Sequence, residues 1–251
     1  MNFGWTPALW FWFGWLIPGS AVGAVWLGLK MGKRPGQCVA MGTLALLAML
    51  AAACLLASGW NPASLLARWR QEFETSLHLT AEFYRQWGWP ETEVQRALGM
   101  VRKVFWDGAV GWVIAAAMGF SLAVYGVFRT AAPKLPGAQM AWTPFRRWVV
   151  PDNVVWLLLA GLVLKLLSGR LPALYAWAGY NLLIVLACLY LTIGAAVVAY
   201  YLLRKQVPRL VKVLILAALA LMPSLWLLLS LVGVLDTWWD WRRLKAEGRT
   251  A

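Results

Sequence analysis

The sequence predicts an all-α fold, a polytopic transmembrane bundle of about six spans with an amphipathic helical hairpin outside the hydrocarbon. Three observations predict it. Thirty-three residues separate Arg170 from Arg204 without one Asp, Glu, Lys or Arg, and a spanning helix needs only about 20 apolar residues. The 251-residue chain is 62% hydrophobic and 13% charged, where soluble domains carry about 25% charged residues. The charge that remains falls in short basic clusters between apolar runs, which is where orientation signals sit.

Taken in order, the first span covers about 5–29, and Pro18 with Gly19 predicts a kink or a broken helix there. Gly19 with Gly23, and Gly28 with Gly32, give small-xxx-small spacings suited to close packing of helices within the protein. Lys30, Lys33 and Arg34 form a basic turn before a second span at about 39–58. Asn61-Pro62 then reads as the cap and first turn of a new helix. Two amphipathic helices follow at about 62–87 and 90–106, divided by Gly88 and Pro90. Their apolar stripes are Leu66, Trp69, Phe73, Leu77, Tyr84 and Trp87, then Val94, Leu98, Val101 and Phe105. This segment carries six basic and six acidic residues through Asp107, so it belongs outside the hydrocarbon, on the membrane surface or against the bundle. Further spans are expected at about 108–128, 154–169, 173–203 and 213–235. The fourth is short, with Lys165 placed to snorkel, and the sixth is bent at Pro223. The whole of 1–251 reads as one integral membrane domain.

Orientation follows from the basic residues. Lys30, Lys33 and Arg34 make the first loop; Arg129, Lys134, Arg146 and Arg147 the second; Arg204, Lys205, Arg209 and Lys212 the third. Only Asp152 opposes them, while the amphipathic segment balances to zero. The positive-inside rule places these loops in the cytoplasm and both termini outside, although Arg242, Arg243, Lys245 and Arg249 in the tail pull the other way. The expected location is a bacterial cytoplasmic membrane, crossed several times.

Several functions are disfavoured. The net charge of +13 reflects topology rather than nucleic-acid binding, since no soluble domain carries a basic face. Cys38, Cys54 and Cys188 sit in or beside apolar stretches with no paired metal spacing, and His78 is the lone histidine. No phosphate-binding loop, nucleophile elbow or dinucleotide fingerprint occurs. Residues before Lys30 carry no charge, so no cleavable signal is expected. The chain therefore reads as a non-enzyme without cofactor or metal. Its candidate polar residues are few. Asn181 lies deep in the fifth span, to bond a neighbouring helix or a ligand. Asn153, after Pro151 and Asp152, starts and caps the fourth helix or makes a similar polar contact. Asp236, Asp240 and Arg243 would share a helix face as an interfacial ion pair among Trp238, Trp239 and Trp241.

The chain resembles the YybS-like family of bacterial membrane proteins. The resemblance rests on Phe145-Arg146-Arg147-Trp148 and Pro151, on Asn181 and Gly194, and on Gly233, Asp236, Trp238, Asp240 and Arg242. Tyr84 and Glu91-Thr92-Glu93 in the amphipathic segment fit it as well. In span number and size that family is similar to the substrate-binding subunits of energy-coupling-factor vitamin transporters. Those bind a small molecule inside six helices and borrow ATPases through a coupling subunit. The orientation read above differs from theirs, and no ligand-binding residue carries over. The resemblance implies a small-molecule carrier or substrate-binding transporter subunit of unidentified ligand. The alternative is a non-catalytic subunit or assembly factor of a larger membrane complex, held to a membrane-protein partner through residues 64–106. The lipid bilayer is a partner in either case.

Overall fold

The computed structural model describes residues 7–131, 144–170 and 172–244. Lys134, Lys245 and Arg249, counted above among the orientation signals, lie outside these residues, as does the start of the first expected span. The described residues form eight α-helices: α1 (Pro7–Lys30), α2 (Pro35–Ala57), α3 (Pro62–Gln86), α4 (Glu91–Ala131), α5 (Val154–Leu166), α6 (Ala173–Arg204), α7 (Arg209–Leu221) and α8 (Pro223–Trp239), with a 3-10 turn at Phe145–Arg147. They divide into two compact units. One takes the described parts of 1–33, 37–109 and 116–138; the other takes 34–36, 110–115 and 139–251.

In the first unit α1 runs unbroken through Pro18, so of the kink or break expected there the break is absent. In an apolar environment a backbone group released from the helix has no water to bond, which favours keeping the rest of the ladder. The helix ends where Gly32 turns left-handed (φ +65) and the Lys33 amide donates to the Gly28 carbonyl at 3.0 Å. Ala21, Val25 and Leu29 recur every four residues on its buried face. Across from them on α2 lie Cys38, Val39 and Gly42. A Cβ added to Gly42 would stand 2.6 Å from Val25 Cγ2 and 3.0 Å from Ser121 Oγ, so α1, α2 and α4 meet at a point only glycine fits. Gly28 is likewise tight against Cys38. Gly19 and Gly23 face open space, and that half of the expected packing motif is not used for packing here.

α4 is one helix of 41 residues, about 60 Å long. The amphipathic helix expected at 90–106 and the span expected at 108–128 are therefore continuous. Their junction, Asp107-Gly108, marks a change of surroundings and no end of helix. A single interior glycine costs about 1 kcal/mol relative to alanine, which is too little to break a ladder entering lipid. α3 packs antiparallel along the first sixteen residues of α4, about 24 Å of helix. Asn61 caps its start, with Oδ1 accepting from the Ser64 amide at 3.4 Å. Leu77, Ala81, Val94 and Leu98 form the dry seam, and the Phe73 and Phe105 rings stack at 4.2 Å.

Two bidentate ion pairs fasten this hairpin. Arg102 donates to both Glu74 oxygens at 2.9 and 2.7 Å, and Arg85 to both Glu91 oxygens at 2.6 and 2.7 Å. The Arg102 hydrogen bond holds the Glu74 carboxyl low. Hydrogen bonds from Arg85, then Gln95, pull Glu91 down to about 2. Because the folded-state value is depressed, the contribution of Glu91 is complete above the ordinary value of 4.5 and disappears as pH falls towards about 2. Carboxyl-resolved NMR titration is expected to find Glu91 still ionised at pH 3.5, with Arg85→Gln returning it to the usual range. Both pairs are solvent-exposed, so salt weakens them.

In the second unit α5 runs antiparallel to α6: Val155 packs with Tyr190, Gly161 lies on Leu183, and Gly179 lies on Leu164. α6 starts after Pro172 and extends for 32 residues, about 48 Å, well beyond an apolar core of about 30 Å. Residues 213–235, expected as one span bent at Pro223, lie in two helices, α7 and α8, meeting at 104°. Met222 adopts an extended conformation (ψ 95), which seats Pro223 as the first residue of α8 rather than inside a helix.

Among the described residues α2, α4 and α6 are long and apolar enough to cross a membrane, and the number rises to four only if the bent α7–α8 pair counts as one span. α1, an apolar helix of 24 residues, and α5, one of 13, complete a set with which six spans are compatible.

Candidate functional site

Polar side chains buried in the second unit fall into two groups. The first is Asn181, on α6 and 7% exposed. Its Oδ1 accepts the Gly111 amide N–H at 2.6 Å, and its Nδ2 donates to the Trp177 carbonyl one turn back at 2.8 Å. A backbone amide of one helix can be reached by a neighbouring helix only where no side chain intervenes. Gly111 meets that need: a Cβ there would come within 2.8 Å of the Asn181 carbonyl oxygen and 3.1 Å of Ile184 Cβ. The amide thus links two helices through a glycine notch. The sequence marks Asn181 but gives no sign that Gly111, seventy positions away, is its partner.

The second group lies towards the end of α8. Asp236 pairs with Arg242, whose Nε and Nη2 reach Oδ2 at 3.0 and 2.7 Å; the two side chains are 4% and 0% exposed. Arg242 also donates to the carbonyls of Arg146 at 2.7 Å and Trp148 at 2.8 Å. One guanidinium therefore neutralises a buried carboxylate and ties down the 3-10 turn before α5. The partner of Asp236 is Arg242, and the helical face expected to carry Asp236, Asp240 and Arg243 does not form. α8 stops at Trp239, Asp240 is left-handed (φ 42), and Arg243 is as well (φ 55). Asp240 Oδ1 accepts the Leu244 amide at 3.0 Å. This turn swings Arg242 back onto Asp236, six positions away, a spacing helical periodicity does not flag.

Two fully buried polar atoms here have no hydrogen-bond partner among the described residues, Tyr190 Oη and Asp236 Oδ1. Tyr190 is wholly buried between α5 and α6. Sequence reasoning missed it because tyrosine in a long apolar run reads as packing.

α6 and α8 touch through paired glycines. A Cβ on Gly194 would overlap the Leu229 carbonyl oxygen, and one on Gly233 would overlap the Tyr190 carbonyl oxygen. Nearby, Ser230 Oγ donates to the Ala187 carbonyl at 2.9 Å. Asn153 is exposed and precedes α5 without a side-chain capping bond. Lys30, Lys33, Arg34, Arg146, Arg147, Arg204 and Lys205 are all exposed at helix ends or in connections. Lys30 Nζ stands 3.8 Å above the Trp26 ring, and Lys165 Nζ 4.9 Å from that of Tyr180. No group of three His, Cys, Asp or Glu suited to a metal occurs among the described residues.

Long apolar helices, glycine-mediated contacts and a small, largely internally paired polar set define a helical membrane protein. Residues 3–237 match the family described as Predicted membrane protein (DUF2232), and the chain belongs to that family. No curated protein and no solved structure matches it.

Proposed function

We propose that the chain is a non-catalytic subunit of a larger complex in a bacterial cytoplasmic membrane, docked to a membrane-protein partner through the α3–α4 hairpin. The observation that carries this reading is the hairpin itself. The first part of α4 continues directly into a charge-free stretch of 21 residues, 108–128, so the hairpin stands off that stretch as a stiff extension. Leu79, Phe83 and Trp87 follow at four-residue intervals along one flank of α3, and Trp87 is 70% exposed at the turn. An apolar flank on a charged surface is the usual mark of a protein contact. With its basic loops in the cytoplasm, the protein presents this flank outside.

A second reading, a small-molecule carrier, is favoured by the unpartnered Tyr190 Oη and Asp236 Oδ1, which a small polar ligand would satisfy. Asn181 supports this reading less, since both ends of its amide hold helix backbone.

Native mass spectrometry of the gently extracted protein separates the two. The subunit reading expects a stoichiometric protein partner that is lost from the Phe83→Ser/Trp87→Ser variant while the chain itself stays folded. A monodisperse monomer carrying a small-molecule adduct, unaffected by that variant and lost from Tyr190→Phe, would replace it with the carrier reading.

A further inference from the structure

We infer that α7 and α8 form a re-entrant helical hairpin, entering and leaving the membrane on one face, rather than a sixth crossing. Direction along the helices carries the inference. Ser230 on α8 bonds Ala187 on α6, and further along both chains Tyr201 Oη donates to the Trp241 carbonyl at 3.1 Å. Sequence number rises on both helices between these two contacts, so α6 and α8 run in the same direction. α5, by contrast, meets α6 with falling numbers. Only four residues separate the end of α6 from the start of α7, so α7 starts at the end of α6 where Trp241 also lies. A chain that departs and returns at the same end of α6 has not crossed.

The lengths allow it. α7 has 13 residues and α8 has 17, neither longer than the lower limit of about 17 for a full span, and their 104° angle turns the chain back. The break is also equipped for surroundings without water. Trp226 Nε1 donates to the Leu219 carbonyl at 2.8 Å, and the Met222 amide to the Ala218 carbonyl at 3.0 Å. These bonds satisfy two carbonyls in the last turn of α7 from within the pair, as a helix end in hydrocarbon favours. Charge fits as well. Arg204, Lys205, Arg209 and Lys212 stand at the entry, Arg242 and Arg243 at the exit, and 213–235 has no charge. Arg242 is bonded to Arg146 and Trp148, in the connection that carries Arg147 too. The basic tail, which opposed the orientation read from sequence, then joins the other basic loops on one side.

The test compares two positions in one background lacking Cys38, Cys54 and Cys188. Gln206→Cys lies between α6 and α7, and Arg243→Cys follows α8; both positions are exposed. A membrane-impermeant maleimide applied to intact cells is expected to treat the two alike, both protected until the membrane is opened. Labelling of one and protection of the other overturns the proposal, whichever is labelled. A reporter that fluoresces only in the cytoplasm, fused after residue 251 of the otherwise native chain, is the second measurement. Fluorescence equal to that of a fusion inserted at Gln206 agrees with a re-entrant pair, and its loss at the C-terminus overturns it.

Discussion

Gly194→Ala is expected to unfold or severely destabilise the protein, by more than about 4 kcal/mol. The new methyl would overlap the Leu229 carbonyl oxygen. A helix backbone cannot move aside as a side-chain tip can, so α6 and α8 would have to separate. Separation would also stretch the Ser230–Ala187 bond and empty the Gly233–Tyr190 contact. Gly19→Ala is the matched control. Its Cβ meets nothing within 4 Å, and alanine is favoured over glycine in a helix by about 1 kcal/mol. Thermal unfolding in detergent, followed by the fraction of protein remaining monodisperse, should show a large drop for Gly194→Ala and none for Gly19→Ala. Equal behaviour of the two variants would mean that α6 and α8 are not in backbone contact.

The second large effect is expected at Arg242. Arg242→Met leaves Asp236 charged and buried and removes the donors from the carbonyls of Arg146 and Trp148. Removing one partner of a buried ion pair costs about 3–5 kcal/mol. Replacing both, as Asp236→Leu/Arg242→Met, should recover much of that loss, because the stranded charge is gone. The same melting measurement checks the cycle. A double variant as unstable as the single one would assign the effect to the lost carbonyl bonds instead of the ion pair.

How far the sequence could be read depended on whether each signal was local. The charge-free run between Arg170 and Arg204, with Pro172 before it, became α6 (Ala173–Arg204) because length and a proline start suffice. Asn61-Pro62 and Gly88-Pro90 gave the ends of α3 for the same reason. Asp107-Gly108 misled, since a change from charged to apolar residues records where water ends and not where hydrogen bonding does. The two prolines divided on a neighbour's conformation. Pro18 stays within a helix, whereas extended Met222 lets Pro223 begin one. The candidate site was half legible. Asn181 and Asp236 stand out as polar residues in apolar runs, but Gly111 and the carbonyls of Arg146 and Trp148 are fixed only by folding. Arg242 belongs with them, because a left-handed Asp240 brings it round.

The paired ions of the α3–α4 hairpin bear on how the protein reaches its membrane. The hairpin carries six basic and six acidic residues through Asp107. Under the proposed orientation, with the basic loops in the cytoplasm, it is an extramembrane helical segment moved across the bilayer. Each elementary charge carried through a membrane potential of 100 mV changes the free energy by about 2.3 kcal/mol. A neutral hairpin takes no net work from that potential. Moving the four charges of Arg204, Lys205, Arg209 and Lys212 against it would cost about 9 kcal/mol, which under the proposed orientation favours that loop staying in the cytoplasm.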